Sequence, residues 1–448
     1  MIFCWLPYNS CMLILTLFEH QFLPYSALGL SATDPFCAAV DRLNAAAGRE
    51  ILQAGRTGLR AGAWVGVVRV GPRLIEILPK IDYQSGDQAA APPAASAAHN
   101  LLALLAYAAD LPLRALAPAG LRARPGGWTG LLTALFAASL RQALAAGPAQ
   151  AYVEREDCLP VLRGRWDLPR QARQPLPAGH CLAVTYADYS ADTPLNQVLR
   201  LAVEDLLPVT SDRHTLGVLA DLRARLWQVS LRPDLRAAPP PAIVFDRQSE
   251  PFRVAYQLAS LFLAGSAVML RAGPLPAFAF VFDMNRLFER FTAGFLARHQ
   301  AAIWPPGWEG VRLLAQHSLG AAAYLASQAG RPVLRVQPDL CFTRAGSPYP
   351  LLVADTKYKQ LGPTGAPPED VYQMLAYLLR LNCPRGLLLY PQPAGSGPIR
   401  RVLAIDPPGA RPVRILVASL NLRVPLDRPD GVIKELREML GDELTDGE

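Results

Sequence analysis

The chain has 448 residues, 44 basic against 37 acidic, for a formal charge of +7. Half of it is apolar and 18% is charged, which excludes a disordered chain, while 42 prolines and 33 glycines exclude a plain helical bundle. The length predicts two to four domains, and no collagen period, heptad run or longer repeat is visible.

Residues 1–18 carry no Lys or Arg and are broken by Pro7, Asn9 and Ser10. The apolar run Met12–Phe18 falls well short of the roughly 20 residues of a membrane span, and the basic start of a signal peptide is missing. A cytoplasmic protein without membrane association is expected. Residues 1–12 read as a doubtful extension, with Met12 an alternative start to Met1. Leu13–His20 and Ala63–Ile81 alternate as β-strands do, and Asp34–Ala47 reads as a helix capped by Asp34 with Pro35 at its first position. Ser85–Ala98, rich in Ala, Pro and Ser, reads as a linker.

From Asn100 to Ala145 apolar residues recur at helical spacing, interrupted by Pro125-Gly126-Gly127. An arginine-rich stretch, Val153–Arg173, follows, then helices near Pro194–Leu207 and Thr215–Val229. Pro239-Pro240-Pro241 marks a boundary, and Val254–Leu270 reads as one core helix. After Pro274 the order is α-β-β-α-β: helix Asn285–His299, strands near Arg331–Phe342 and Leu351–Lys359, helix Glu369–Arg380 and strand Gly386–Tyr390. The acidic tail Asp430–Glu448 holds one amphipathic helix on Ile433, Leu436, Met439 and Leu440.

Seven scattered cysteines include no C-x-x-C pair, and six histidines show no ligand spacing. Zinc sites and a disulfide framework are therefore not expected, and most cysteines read as small buried hydrophobes in a reducing compartment.

Of the 44 basic side chains only Lys80, Lys357, Lys359 and Lys434 are lysines. In so arginine-biased a chain the net charge says little about nucleic acid, but a retained lysine marks a place where a compact point charge outperforms a planar fork. Two of the four lie together. Val336-Gln337-Pro338-Asp339-Leu340 is followed by Val353-Ala354-Asp355-Thr356-Lys357, and a hairpin joining them brings Asp339 and Asp355 to one end of paired strands. Asp355 and Lys357, two apart on a strand, share a face.

Two carboxylates with a neighbouring backbone carbonyl, that of Thr356, suit a hard, partly hydrated cation such as Mg²⁺, and the lysine can hold the attacking water. Pro-Asp alone is turn chemistry, and D-x-K alone is a surface ion pair. The apolar run Leu351–Ala354 before Asp355 instead makes this a charge on an interior strand, and the aspartate pair followed by D-x-K resembles the core of a PD-(D/E)xK nuclease. Gln373 and Tyr377, four apart on the next helix, are expected to face the site through Gln373, while Tyr377 by itself reads as a packing residue. Glu289, early on the helix that follows Asp283 or Asn285 as cap, is a candidate extra acid or an ordinary solvated charge.

Beyond this core, Arg69–Ile81, with Ile75-Glu76-Ile77-Leu78-Pro79-Lys80-Ile81, resembles the N-terminal signature of the McrC family, the nuclease subunit of the McrBC 5-methylcytosine-dependent restriction system. Leu17–Gln21, Leu162-Arg163-Gly164-Arg165, Ala191–Asn196, Leu287–Phe291, Pro338-Asp339, Asp355–Lys357 and Gln373 match it in order. The resemblance runs from about Leu13 to Tyr390.

It implies a partner, an McrB-like AAA+ GTPase that binds GTP, and a substrate, double-stranded DNA carrying modified cytosine. It also implies docking on the partner ring through the N-terminal part. No lysine here follows glycine, so the chain has no Walker loop, and GTP dependence has to come from the partner. The arginines Arg163, Arg165, Arg170 and Arg173 face GTP or DNA phosphates on this reading, or are plain solvated surface; Lys80 contacts the ring or caps a strand end.

The expected fold is multi-domain α+β: a β-containing partner-binding region at 13–98, a mainly helical region at 99–273, a PD-(D/E)xK nuclease domain at 274–422 and a helical tail at 423–448. Asp339 and Asp355 would hold Mg²⁺, Lys357 would position the nucleophile, and Gln373 and Glu289 would support them. A non-cutting GTPase-activating scaffold and a methylation-independent nuclease remain as alternatives.

Overall fold

The computed structural model describes residues 13–445 except 32, 72, 81–93, 112–126, 174–180, 237–239, 265, 271–276, 316–323, 329–330, 348, 360, 362–364, 394–395, 407–410, 425 and 427. Both candidate start codons, the first part of the expected linker, Pro125-Gly126 and Pro239 lie outside the described residues. The chain divides into two compact units, one made of Met1–Ala123 with Val268–Glu448, the other of Arg124–Ala267. The N-terminal strands, expected as a region of their own, thus share one unit with the C-terminal third.

The Asp34 reading holds: its side chain accepts the Phe36 N–H, Pro35 opens helix Pro35–Ala47, and Gly48 closes it in the left-handed conformation. This helix lies beside a sheet ordered Leu13–Phe18, Arg73–Leu78, Trp64–Val70, Ala277–Asp283 and Ser266–Leu270. The first pair is parallel and the next two pairs are antiparallel. Leu17, Phe36, Val40, Ile75, Ile77 and Val281 form its core. Val254–Leu270 is not one helix: the helix stops at Ala264 and Ser266–Leu270 becomes the sheet's edge strand. The apolar run is too short and too β-prone at Val268–Leu270 to arbitrate by period alone.

Helix Ala94–Ala108 begins inside the segment expected as a linker. It packs on helix Met284–Ile303, where a Cβ on Gly294 would sit 2.2 Å from the Tyr107 carbonyl, so only glycine admits the approach. Tyr107 then meets Phe291 and Phe295 at ring-centroid distances of 5.6 and 4.8 Å.

The second sheet runs Val311–Ala315, Leu340–Arg344, Leu352–Thr356, Arg385–Pro391, Val413–Leu420 and Arg400–Ile405. Leu352–Thr356 is antiparallel to Leu340–Arg344 and parallel to Arg385–Pro391. The single strand expected over Arg331–Phe342 is in fact two. Arg331–Arg335 pairs with Tyr324–Gln328, Leu334 takes a positive φ of 60°, and the chain re-enters the main sheet at Leu340. All five residues of Leu352–Thr356 are buried, which is why the string reads as a continuous apolar run and not as alternation.

Helix Pro368–Leu381 crosses Arg385–Pro391 at Gly386, where an added Cβ would come within 2.9 Å of Met374. Its buried face is Asp370, Met374, Tyr377, Leu378 and Leu381, a helical stripe. The tail helix Asp430–Thr445 forms as expected, although Val432 and not Ile433 joins Leu436, Met439 and Leu440 in the core.

The Arg124–Ala267 unit contains helices Gly127–Ala143, Pro194–Leu206, Arg213–Arg225 and Arg253–Ala264. It also holds a sheet of Ala151–Leu159, Leu182–Ser190 and Arg165–Trp166, so it is less purely helical than the sequence suggested. Among the described residues one helix, Trp128–Ala146, is long and apolar enough to cross a membrane, and half of that window is buried inside the protein.

Cys158, near the end of one long strand, and Cys181, just before the start of the other, form a disulfide, against the expectation of free thiols; Cys37, Cys341 and Cys383 are free and buried. The spacing missed it because strand pairing, not sequence proximity, brings the two together: Cys158 lies opposite Ala183 in the antiparallel register. The Ala191–Asn196 string proves architectural. Thr193 caps the Pro194–Leu206 helix, and fully buried Asn196 donates to the Ala149 and Ala191 carbonyls at 2.7 Å.

Candidate active site

The hairpin places Asp339 just before Leu340 and Asp355 one residue from the end of the neighbouring strand. Leu340 lies opposite Ala354. The Thr356 N–H and hydroxyl both donate to Asp339 Oδ2 at 2.7 Å, so the first aspartate is locked to the residue between Asp355 and Lys357. Lys357 Nζ reaches back along its face to within 2.6 Å of Asp355 Oδ2 and donates to Gln373 Oε1 at 2.9 Å. Gln373 Nε2 in turn donates to Tyr377 Oη at 2.6 Å. Asp339, Asp355, Lys357 and Gln373 thus form one connected set built from two strands and a helix. Glu289 sits half-buried on Met284–Ile303, next to Phe288, whose ring meets Tyr358 at 6.1 Å.

The electrostatics are those of crowded carboxylates. Burial, and after it the nearby Asp339, pushes the Asp355 carboxyl up to about 6 against the opposing pull of Lys357. Burial likewise raises Asp339, opposed by its two bonds from Thr356. Burial works against the Lys357 ammonium, but Asp355, Asp339 and Asp370 outweigh it and hold it above the ordinary lysine value. The buried Asp355 Oδ2 is paired with the Lys357 ammonium at 2.6 Å.

A cation fits such a donor set. Two crowded carboxylates, each pushed up by burial and sharing one ammonium that is also engaged by Gln373, match a divalent ion that keeps several waters, with the Thr356 backbone carbonyl as the expected further oxygen. Among the described residues no three His, Cys, Asp or Glu side chains converge on a ready-made cage.

Two features escaped the sequence reading. Asp370, only 4% exposed in the first turn of its helix, has Lys359 Nζ 3.0 Å from Oδ1 and 2.8 Å from Oδ2, and its Oδ2 also accepts the Tyr390 hydroxyl at 2.6 Å. Lys359 also pairs with exposed Glu369 at 3.7 Å. The retained lysine was the available signal; its buried partner, eleven residues on, was not. The second is Tyr358, whose hydroxyl donates to Glu19 across 339 positions of sequence. In the other unit, Arg163 and Arg170 are paired with Asp188 and Glu156, at 3.0 and 3.7 Å, and Arg163 stacks on Tyr186.

These sheets and helices define a mixed α/β protein of the McrC fold. One solved structure, a refined half-complex of Thermococcus gammatolerans McrB AAA+ hexamers with bound McrC, superposes with a TM-score of 0.59 at 18% identity, covering 95% of this chain and 99% of that one. Another, of the Thermococcus gammatolerans McrBC complex, gives a TM-score of 0.44 at 21% identity over 64% of this chain and 88% of that one. Comparison with curated proteins returns no match. The sequence model of the McrBC 5-methylcytosine restriction system component family matches residues 59–391, and the chain belongs to that family.

Proposed function

We propose that this chain is the endonuclease subunit of a GTP-dependent restriction complex directed at modified cytosine, with a PD-(D/E)xK nuclease centre at the end of the Leu340–Arg344 and Leu352–Thr356 strands. The observation that carries the reading is the connected set Asp339, Asp355, Lys357 and Gln373, in which a lysine is held between an interior carboxylate and a helix glutamine.

Asp339, Asp355 and the Thr356 carbonyl would hold Mg²⁺, which when bound supplies Lewis-acid charge and lowers the pKa of water. Lys357 orients the attacking water and offsets charge building on the scissile phosphate; Gln373 keeps the ammonium aimed. Glu289 is assigned a supporting role on the adjoining helix. In-line attack then breaks the phosphodiester bond, the chemistry being mostly positioning and charge.

The partner is an McrB-like AAA+ GTPase, which binds GTP and is stimulated by this chain. Family membership and the McrB–McrC assembly seen in the Thermococcus complex support that assignment. The substrate is double-stranded DNA carrying modified cytosine, met in the cytoplasm.

Plasmid cleavage tests the reading, using the purified chain with Mg²⁺ and with or without its GTPase, GTP and cytosine methylation. Cutting is expected only when all are present, and Asp355→Ala or Lys357→Ala should abolish it while partner binding persists. Cutting by the chain alone, indifferent to methylation, would replace this reading with a stand-alone nuclease. Stimulated GTP hydrolysis without cutting would leave a scaffold.

A further inference from the structure

We infer that Glu19 is a positioning residue for the nuclease centre, acting through the Tyr358 hydroxyl on the backbone that carries Lys357. The inference rests on the nuclease reading above and assigns a task to two N-terminal strings that reading leaves idle, Leu17–Gln21 and Leu78-Pro79-Lys80.

Glu19 follows the Leu13–Phe18 strand and is 2% exposed. Its N–H donates to the Leu78 carbonyl at 3.0 Å. Its Oε2 accepts the Lys80 N–H at 3.0 Å and the Tyr358 hydroxyl at 2.9 Å. One buried carboxylate oxygen therefore gathers the ends of two strands of the first sheet and the residue directly after Lys357 in the second. Burying a carboxylate is expensive, and here burial pushes the group up to about 7 despite both donors and the Lys80 charge. A joint with no task would be met as well by an apolar contact.

What the joint steadies follows from the local backbone. The Leu352–Thr356 strand ends before Lys357. Beyond it, the Lys357 N–H still donates to the Leu389 carbonyl and the Lys359 N–H to the Lys357 carbonyl, both at 2.9 Å. The second of these bonds closes a tight three-residue turn with Tyr358 at its centre. Lys357 reaches Asp355 and Gln373, Tyr358 reaches Glu19, and Lys359 returns to Asp370. The exit of the catalytic strand is pinned on both sides, and Tyr358 provides the pin that comes from the N-terminal sheet. An ammonium that must meet a phosphate tolerates little slack, since a displacement of about 1 Å costs on the order of a hundredfold in rate.

The test uses the full chain with its GTPase, GTP, Mg²⁺ and methylated plasmid, and compares Tyr358→Phe with Glu19→Gln. The phenylalanine keeps the ring against Phe288 and removes only the hydroxyl. The expected result for Tyr358→Phe is kcat per folded molecule lowered about tenfold at unchanged KM for DNA, consistent with a fraction of an ångström of misplacement. Faster amide exchange at the Lys357 N–H should accompany it. Glu19→Gln, whose carboxamide oxygen still accepts from Tyr358, should keep most of the wild-type kcat.

Wild-type kcat in Tyr358→Phe, or an unchanged exchange rate, overturns the inference, as does a rise in KM alone. A wild-type chain that cuts under no condition defeats the nuclease reading instead. Amide exchange then decides on the joint by itself: faster in Tyr358→Phe upholds it, unchanged removes it.

Discussion

Replacing Glu19 by Gln has a thermodynamic signature separate from catalysis. The folded-state carboxyl sits at about 7 against an ordinary 4.5, because burial outweighs the Lys80 N–H, the Tyr358 hydroxyl and the Lys80 charge. With the folded value above the unfolded one, the native state holds the proton more tightly. The stability this supplies is fully present below pH 4.5 and is lost as the pH rises through about 7. Each pH unit inside that window is worth about 1.4 kcal/mol, so between pH 5 and pH 7 the wild-type chain forfeits roughly 2–3 kcal/mol through this one group.

Glutamine does not ionise and forfeits none of it, although its buried NH₂ costs about 1–2 kcal/mol at every pH. The quantity to measure is therefore the change in the variant's relative stability between pH 5 and pH 8, in which that constant cancels. Urea unfolding in EDTA at the two pH values should show Glu19→Gln gaining roughly 2–3 kcal/mol on wild type. A relative stability flat with pH would mean that Glu19 is not buried as a neutralisable acid, and the close joint around it would fall with that result.

Gln373→Ala removes the acceptor of Lys357 Nζ from an exposed helix position, so it should slow cleavage about tenfold while changing stability by less than about 0.5 kcal/mol. Single-turnover cleavage and a melt, run side by side, check both halves. Cys158→Ser opens a disulfide spanning 23 residues, worth about 3 kcal/mol on loop-closure grounds. Limited proteolysis between residues 150 and 190 should accelerate in that variant and in reduced wild type alike, and equal protection in both would refute it.

Where the determinants were local, the sequence was readable. Asp34 followed by Pro35 is a helix start whose cap lies two residues away. Asp355 and Lys357 share a face by the twofold period of a strand, and Asp339 reaches Thr356 through a hairpin short enough to see in the string. What stayed hidden depends on partners the string does not place side by side. Asp370 looks like ordinary first-turn acidity until Tyr390, twenty positions on, is brought beneath it by the neighbouring strand. Glu19 lies in a string that the family resemblance marks, but nothing local shows its task, because its partners lie 61 and 339 residues away. The Arg331–Phe342 misreading has another cause. The strand runs on past Leu334 to Arg335 and breaks at Val336-Gln337-Pro338-Asp339, where Pro338 cannot donate to a ladder, before the chain re-enters the sheet at Leu340.

The N-terminal sheet is not finished by the N-terminal part of the chain. Trp64–Val70 has Arg73–Leu78 on one side, but its other neighbour is Ala277–Asp283, with Asp283 opposite Trp64. During synthesis at roughly 5–20 residues per second, the inner strand waits about 10–40 s for a mate encoded some two hundred residues later. Throughout that interval its backbone donors and acceptors form an open, valine-rich edge of the kind that recruits foreign strands. A fragment ending near residue 123 would carry the same edge permanently. Truncation there yields not a smaller partner-binding module but a sheet in search of its missing strand, and supplying Ala277–Asp283 in trans is the route by which such a fragment would become tractable.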